Sequence, residues 1–256
     1  MAVPRVLGDP GFGSEPDHAL FDRFAGEVAR AQLTEWLPTT PSLILDLSRR
    51  CPRLVGVMVG HGHTVVHADR MATRPDIVPA PGADDNGRLL TVRGDGRSLD
   101  WLGDATVDAV VAEGGALSEA LAAELTLEDV HRVLRPGGRL LLCVESLVNG
   151  LSRLADQGRW AELADVPAAD VVLVPTDGDN VSRCFWPEEL HAMLTDAGFD
   201  VDWVRPRTVL AEQTVVRALR VDPGKLASLV DTELALARRR QGESVGAQLV
   251  ASATRR

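Results

Sequence analysis

Short apolar runs alternate with stretches of helical period along this chain, the signature of an α/β arrangement. The clearest case is Ser42 to Asp69. Ser42 to Leu47 is an apolar run carrying one acid, Asp46, near its end. Arg53 to Gly60 places apolar residues at helical spacing, and Gly60 and Gly62, with their neighbouring histidines, break it. Thr64 to Ala68 is a second run rich in β-branched residues, closed by Asp69. Strand, turn, helix and strand with an acid at the second strand's tip form a βαβ unit, the core of nucleotide-binding α/β folds.

The same reading extends in both directions. Residues 1–16 are rich in Gly and Pro and read as an arm. A helix is predicted from Asp17, its N-cap, to Leu37, with Leu20, Phe24, Val28, Ala31, Trp36 and Leu37 on one face. Pro38 and Pro41 end it. Met71 to Arg88 holds prolines and glycines too closely spaced for a long helix and reads as a loop. Leu89 to Val92 is the third strand, followed by Gly94-Asp95-Gly96. Val107 to Ala112 is the fourth, ending at Glu113-Gly114-Gly115. A helix from about Ser118 to Leu134 should turn Leu121, Leu125, Val130 and Val133 inward. Arg139 to Val144 is almost wholly apolar, as a strand buried on both faces must be.

Beyond it, the pattern predicts an amphipathic helix near Leu147 to Leu163, an apolar stretch from Asp170 to Val174 and an acidic loop from Thr176 to Asn180. Pro187 opens a helix that Gly198 stops. Phe199 to Val204 alternates as a strand, Val209 to Leu219 fits strand or helix, Pro223 to Arg240 is helical, and Val245 to Ala253 is a last strand.

Composition narrows the function. A net charge of −10 would repel a phosphate backbone, and aromatic residues at 4% leave few platforms for base stacking, so no nucleic-acid partner is expected. A small-molecule ligand is the better expectation. No apolar run is long enough for a membrane span, and no apolar core marks an N-terminal signal, so the chain is expected in the cytoplasm. Cys51, Cys143 and Cys184 are scattered and fit neither zinc spacing nor a disulfide framework. His61, His63 and His67 are close in sequence but lack a completing ligand set, and solvated turn histidines are expected.

Two late stretches carry a resemblance. His131 to Leu140 (HRVLRPGGRL) is similar to the helix, Pro-Gly-Gly turn and fifth strand of the class I S-adenosylmethionine-dependent methyltransferases. Phe185-Trp186-Pro187-Glu188-Glu189-Leu190, running on to Ala197-Gly198-Phe199, resembles that family's approach to its sixth strand. The resemblance implies a Rossmann-like three-layer sandwich with a mostly parallel seven-stranded sheet and an antiparallel last strand. It would occupy residues 41–256, behind an N-terminal arm and helix at 1–40.

It also implies a site. In the family the first strand ends in an acid, a hydrophobic residue and a turn with glycine at alternate positions. Asp46 and Leu47 match, but Ser48, Arg50 and Pro52 stand at the three glycine positions. Glycine serves there because backbone approaches the ligand closely, and Pro52 also removes an N–H donor. Asp69 matches the acid that accepts hydrogen bonds from ribose hydroxyls. Asp95, with Gly96, matches the acid that meets the adenine amino group, and Glu113 and Gly114 match the end of the strand that faces the methionine part.

Methyl transfer from S-adenosylmethionine to a small molecule is therefore the leading expectation. Glu113, His191 and Asp177 are candidate bases, and Leu147 to Cys184, with Trp160 and Arg183, is expected to wall the acceptor pocket. A second reading is a non-catalytic relative whose altered turn has lost the donor and whose cleft binds or assembles with something else. A nicotinamide-dependent oxidoreductase is disfavoured, because it too relies on the glycine turn.

Overall fold

A computed structural model describes residues 16–48, 52–69, 77–78, 87–94, 98–120, 122–169, 171–176 and 180–256. The chain opens with helix α1 (Asp17–Trp36), then strand β1 (Leu43–Asp46), α2 (Pro52–Gly60) and β2 (Thr64–Asp69). A two-residue strand β3 (Ile77–Val78), β4 (Arg88–Arg93), β5 (Val107–Ala112), α3 (Ala123–Val133) and the long β6 (Leu134–Ser146) follow. Next come α4 (Leu147–Asp156), α5 (Trp160–Asp165), β7 (Val172–Pro175), β8 (Val181–Phe185) and α6 (Pro187–Asp196). The remainder is β9 (Phe199–Arg207), α7 (Glu212–Val221), α8 (Leu226–Arg239) and β10 (Gln248–Arg255).

Among the described residues ten strands join one sheet, with the main order β3-β4-β2-β1-β5-β6-β10-β9 and β8 and β7 attached beside the end of β6. β1 is parallel to both β2 and β5, while β10 runs antiparallel between β6 and β9. The seven expected strands are β1, β2, β4, β5, β6, β9 and β10. The extra three are β3, paired to β4, and the β7–β8 hairpin.

Side chains alternate between two cores, as the pleat requires. Ile44, Ala109, Val111, Leu141, Cys143 and Val250 pack with Leu33 and Trp36 of α1 and Met58 of α2. Leu45, Val110, Leu140, Leu142, Val144 and Leu249 pack on the other face with α3 and α6, through Leu127, Val130, Leu190 and Leu194. Leu20, Phe24 and Val28, within the first twelve residues of α1, pack against Val215, Leu219 and Val230 of α7 and α8. The end of α1 is pinned to the sheet, where Trp36 Nε1 donates to Ser252 Oγ (3.0 Å) and that hydroxyl donates to Asp202 (2.7 Å).

Several local expectations are corrected. Pro16 precedes α1 as its N-cap, and Asp17 is the first helical residue. α3 begins at Ala123, which turns Thr126 and Leu127 inward and leaves Leu125 62% exposed. The helix expected over 147–163 breaks into α4 and α5 at Gly158, whose φ of +68° closes the turn between them. Residues 209–219 resolve as helix over most of their length, and β10 starts three residues later than the sequence pattern suggests.

Candidate functional site

The chain leaves β1 toward β2 on one side, and β5 lies on the other, so the order reverses at β1. Crevices in open α/β sheets form outside the carboxyl ends of strands at such a reversal. The residues there are held by a dense set of contacts. Asp46 is fully buried, accepting the Ser48 N–H at Oδ1 (3.1 Å) and His67 Nδ1–H at Oδ2 (2.8 Å). Ser48, at the first of the glycine positions, is itself buried, and its hydroxyl accepts the N–H of Glu113 at 3.1 Å. The first turn is thereby tied to the tip of β5.

Glu113 does not present its carboxylate to the crevice. It is 1% exposed, and its two oxygens accept both terminal nitrogens of Arg207 at 2.7 and 2.8 Å. Arg207 also donates through Nε to Gln32 of α1 at 2.6 Å. A carboxylate engaged on both oxygens by a buried guanidinium is a positioning element, and its candidacy as a base is not supported. Gln32 and Arg207 were not among the sequence candidates. The available signal was a glutamine on the apolar face of α1 and an arginine at the end of an alternating strand.

Gly114 and Gly115 follow with φ of +69° and +75°, the left-handed region that glycine adopts without strain. A Cβ on Gly115 would make only ordinary contacts, 3.9 Å from Glu145 Oε1 and Ser118 Cβ, so backbone conformation and not crowding favours glycine there. They line a polar cleft of about 430 Å³ with Glu119, Glu145, Arg153, Gln157, Thr176 and Ser182. A larger cleft of about 980 Å³ opens between α1, α4 and α7, where Asn149 and Ser152 of α4 form one wall. The segment after β6 thus contributes to both.

Two residues expected in that segment's pocket do other work. Arg183 pairs with Glu124 (2.7 Å) and Glu189 (2.9 Å), stapling α3 and α6 to β8, and the bond from Arg183 holds the Glu124 carboxyl below its ordinary value. Trp160 is 64% exposed on α5 and lines neither cleft. His191 faces a small groove beside Trp203 on β9, away from Glu113 and Ser48. Cys184 is no nucleophile, because burial, reinforced by Glu145, pushes its thiol up to about 12. Arg50, Asp95, Gly96 and Asp177 lie outside the described residues, and Asp69 is placed only as the last residue of β2.

The three clustered histidines have separate structural partners. His61 Nδ1 donates to the Val57 carbonyl (2.8 Å), His63 Nδ1 accepts the Ser42 N–H (3.2 Å), and His67 pairs with Asp46. Among the described residues no helix is long and apolar enough to cross a membrane.

No protein-family model and no curated protein sequence matches the chain. Solved structures do. An S-adenosylmethionine-dependent methyltransferase from Mesorhizobium loti is 18% identical, with 91% of this chain and 100% of that one covered at a TM-score of 0.59. The fold is that of the class I S-adenosylmethionine-dependent methyltransferases. The Burkholderia thailandensis 1,6-didemethyltoxoflavin-N1-methyltransferase, solved with 1,6-didemethyltoxoflavin and S-adenosylhomocysteine, is 20% identical over 92% of this chain and 80% of that one, with a TM-score of 0.56. A Haloferax volcanii protein solved in complex with the Trm112 methyltransferase activator is 17% identical over 93% of this chain and 92% of that one, also at 0.56. At these identities the likeness is one of fold, and activity has to be argued from the site.

Proposed function

We propose that the protein transfers a methyl group from S-adenosylmethionine to a small-molecule acceptor. The observation that carries this reading is the crevice at the strand reversal, where Gly114 and Gly115, both left-handed, follow β5 beside the tip of β1. That backbone fits close approach of a ligand. Asp69, at the tip of β2, would accept hydrogen bonds from the ribose hydroxyls, and Asp95 from the adenine amino group. Arg49 or Arg50 would pair with the methionine carboxylate in place of the glycine turn's N–H donors.

The donor supplies an electrophilic methyl carbon on a sulfonium. The chain's part is to hold the acceptor's lone pair in line with the carbon–sulfur bond, and such positioning is itself a large share of a displacement barrier. The Glu113–Arg207–Gln32 cluster serves this by fixing the tip of β5 against α1 and β9. No proton need reach Glu113, since the acceptor's proton can leave to water through the open cleft.

Calorimetric titration with S-adenosylmethionine and S-adenosylhomocysteine tests the reading. Saturable binding is expected. Silence at millimolar ligand would favour a non-catalytic binding protein of the same fold, a reading that Ser48 and Pro52 at glycine positions also support.

A further inference from the structure

We infer that the large cleft is the acceptor pocket and that it takes an uncharged, mainly apolar molecule; this rests on the methyl-transfer reading above. The cleft is a built feature. β9 ends at Arg207, which Glu113 anchors, and Thr208 then turns the chain outward with a φ of +57°. Gly246 lies against that corner, where any Cβ would stand 2.3 Å from the Arg207 carbonyl oxygen. The following loop is fixed from below by Glu233 of α8, a fully buried carboxylate that accepts the N–H groups of Val209 (2.8 Å) and Leu210 (2.9 Å). α7 therefore starts away from the strand ends while α4 rises on the opposite side, and the cleft is the space between them.

Its position sets it beside the polar cleft that Gly114 and Gly115 line. Asn149, in the cleft wall, donates its amide to Glu145 Oε2 at 2.8 Å, and Glu145 lines the polar cleft with Gly114 and Gly115. Its volume of about 980 Å³ is that of a site for a drug-sized molecule. Its chemistry selects against charge. Phe21, Leu210, Val216 and Ala247 supply apolar lining, and Asp17 and Arg220 neutralise each other in a salt bridge from α1 to α7. Glu212 and Arg217 stand exposed toward water. Apolar ligand surface gains by leaving water against that lining, while the lining charges already have each other or water as partners. In the step proposed, a neutral acceptor's oxygen or nitrogen lone pair forms the bond to the methyl carbon. The carbon–sulfur pair returns to sulfur, and the acceptor's proton passes to water.

The test uses the full chain and two fluorescent probes, neutral Nile red and anionic anilinonaphthalene sulfonate, with S-adenosylhomocysteine titrated in parallel. Ser152→Trp and Ala211→Trp enter the cleft from opposite walls at exposed positions, so neither should disturb folding. Saturable Nile red binding is expected, weakened about tenfold or more by each variant and at least about tenfold tighter than the sulfonate, with S-adenosylhomocysteine affinity unchanged. Nile red binding that is absent, or indifferent to both variants, overturns the assignment of the cleft. A sulfonate bound as tightly as Nile red overturns the preference for neutral molecules. Cleft-dependent Nile red binding without S-adenosylhomocysteine binding overturns the acceptor role, since the donor reading on which it rests has then failed.

Discussion

The hydroxyl of Ser48 accepts the backbone N–H of Glu113 at 3.1 Å, across the gap between the tips of β1 and β5. Glycine at position 48 could not make this bond. A residue that departs from the family's turn is thus a fastening between the two strands that flank the strand reversal. Ser48→Ala should leave the buried Glu113 N–H without an acceptor and lower stability by about 1–3 kcal/mol. Chemical denaturation measures it, and an unchanged midpoint would show the bond to be dispensable.

Arg207→Met should be much worse, because it strands a buried Glu113 carboxylate at a cost of about 3–5 kcal/mol. Pairing it with Glu113→Leu should recover much of that loss. A double-mutant cycle that finds the two losses simply additive would contradict a coupled pair.

Two histidines predict acid sensitivity. Burial, aided by His61, lowers His63, and burial, aided by Arg255, lowers His131 from the ordinary imidazole value of 6.5. The His63 shift agrees with its geometry, since Nδ1 accepts the Ser42 N–H and has no room for a proton. His131 sits edge-on to Phe199 at 5.3 Å. The unfolded chain takes up these protons first, so stability should fall as pH drops below about 6.5 and level off once pH is under the lowered folded values. Denaturation midpoints across that range should flatten in a His63→Gln, His131→Gln variant.

Asp69→Ala separates ligand binding from folding. If the crevice holds an adenosine moiety, the variant should bind S-adenosylhomocysteine about 1.5–3 kcal/mol more weakly, the cost of losing charge-assisted hydrogen bonds. Thermal stability should change little. Full affinity in a folded variant would remove Asp69 from the site.

The strands of the main sheet were legible because their apolar runs are bounded by proline, glycine or an acid, as at Asp46, Asp69 and Glu113, although β6 starts at Leu134 and runs through Pro136-Gly137-Gly138, where the sequence pattern suggests a turn. β8 was not, because Arg183 interrupts a five-residue run and its partners, Glu124 and Glu189, come from two separate helices. Arg207 shows the same limit. The alternation read from the sequence stops at Val204, three residues short of it, and its pairing with Glu113, 94 residues away, depends on how β6 and β10 space the strands. Local pattern reports which face a residue takes. It carries no record of what crosses the sheet to meet it.

The antiparallel insertion of β10 bears on synthesis. Among the described residues β9 meets the sheet through β10 alone, with Leu249 opposite both Val144 of β6 and Pro206 of β9. A ribosome therefore releases β6 and β9 before the strand that joins them exists. Until it emerges, the apolar edge of β6 from Leu140 to Val144 stands without its partner, a template for pairing between nascent chains. Such a chain should depend on chaperones most acutely in the interval between the emergence of β9 and that of β10.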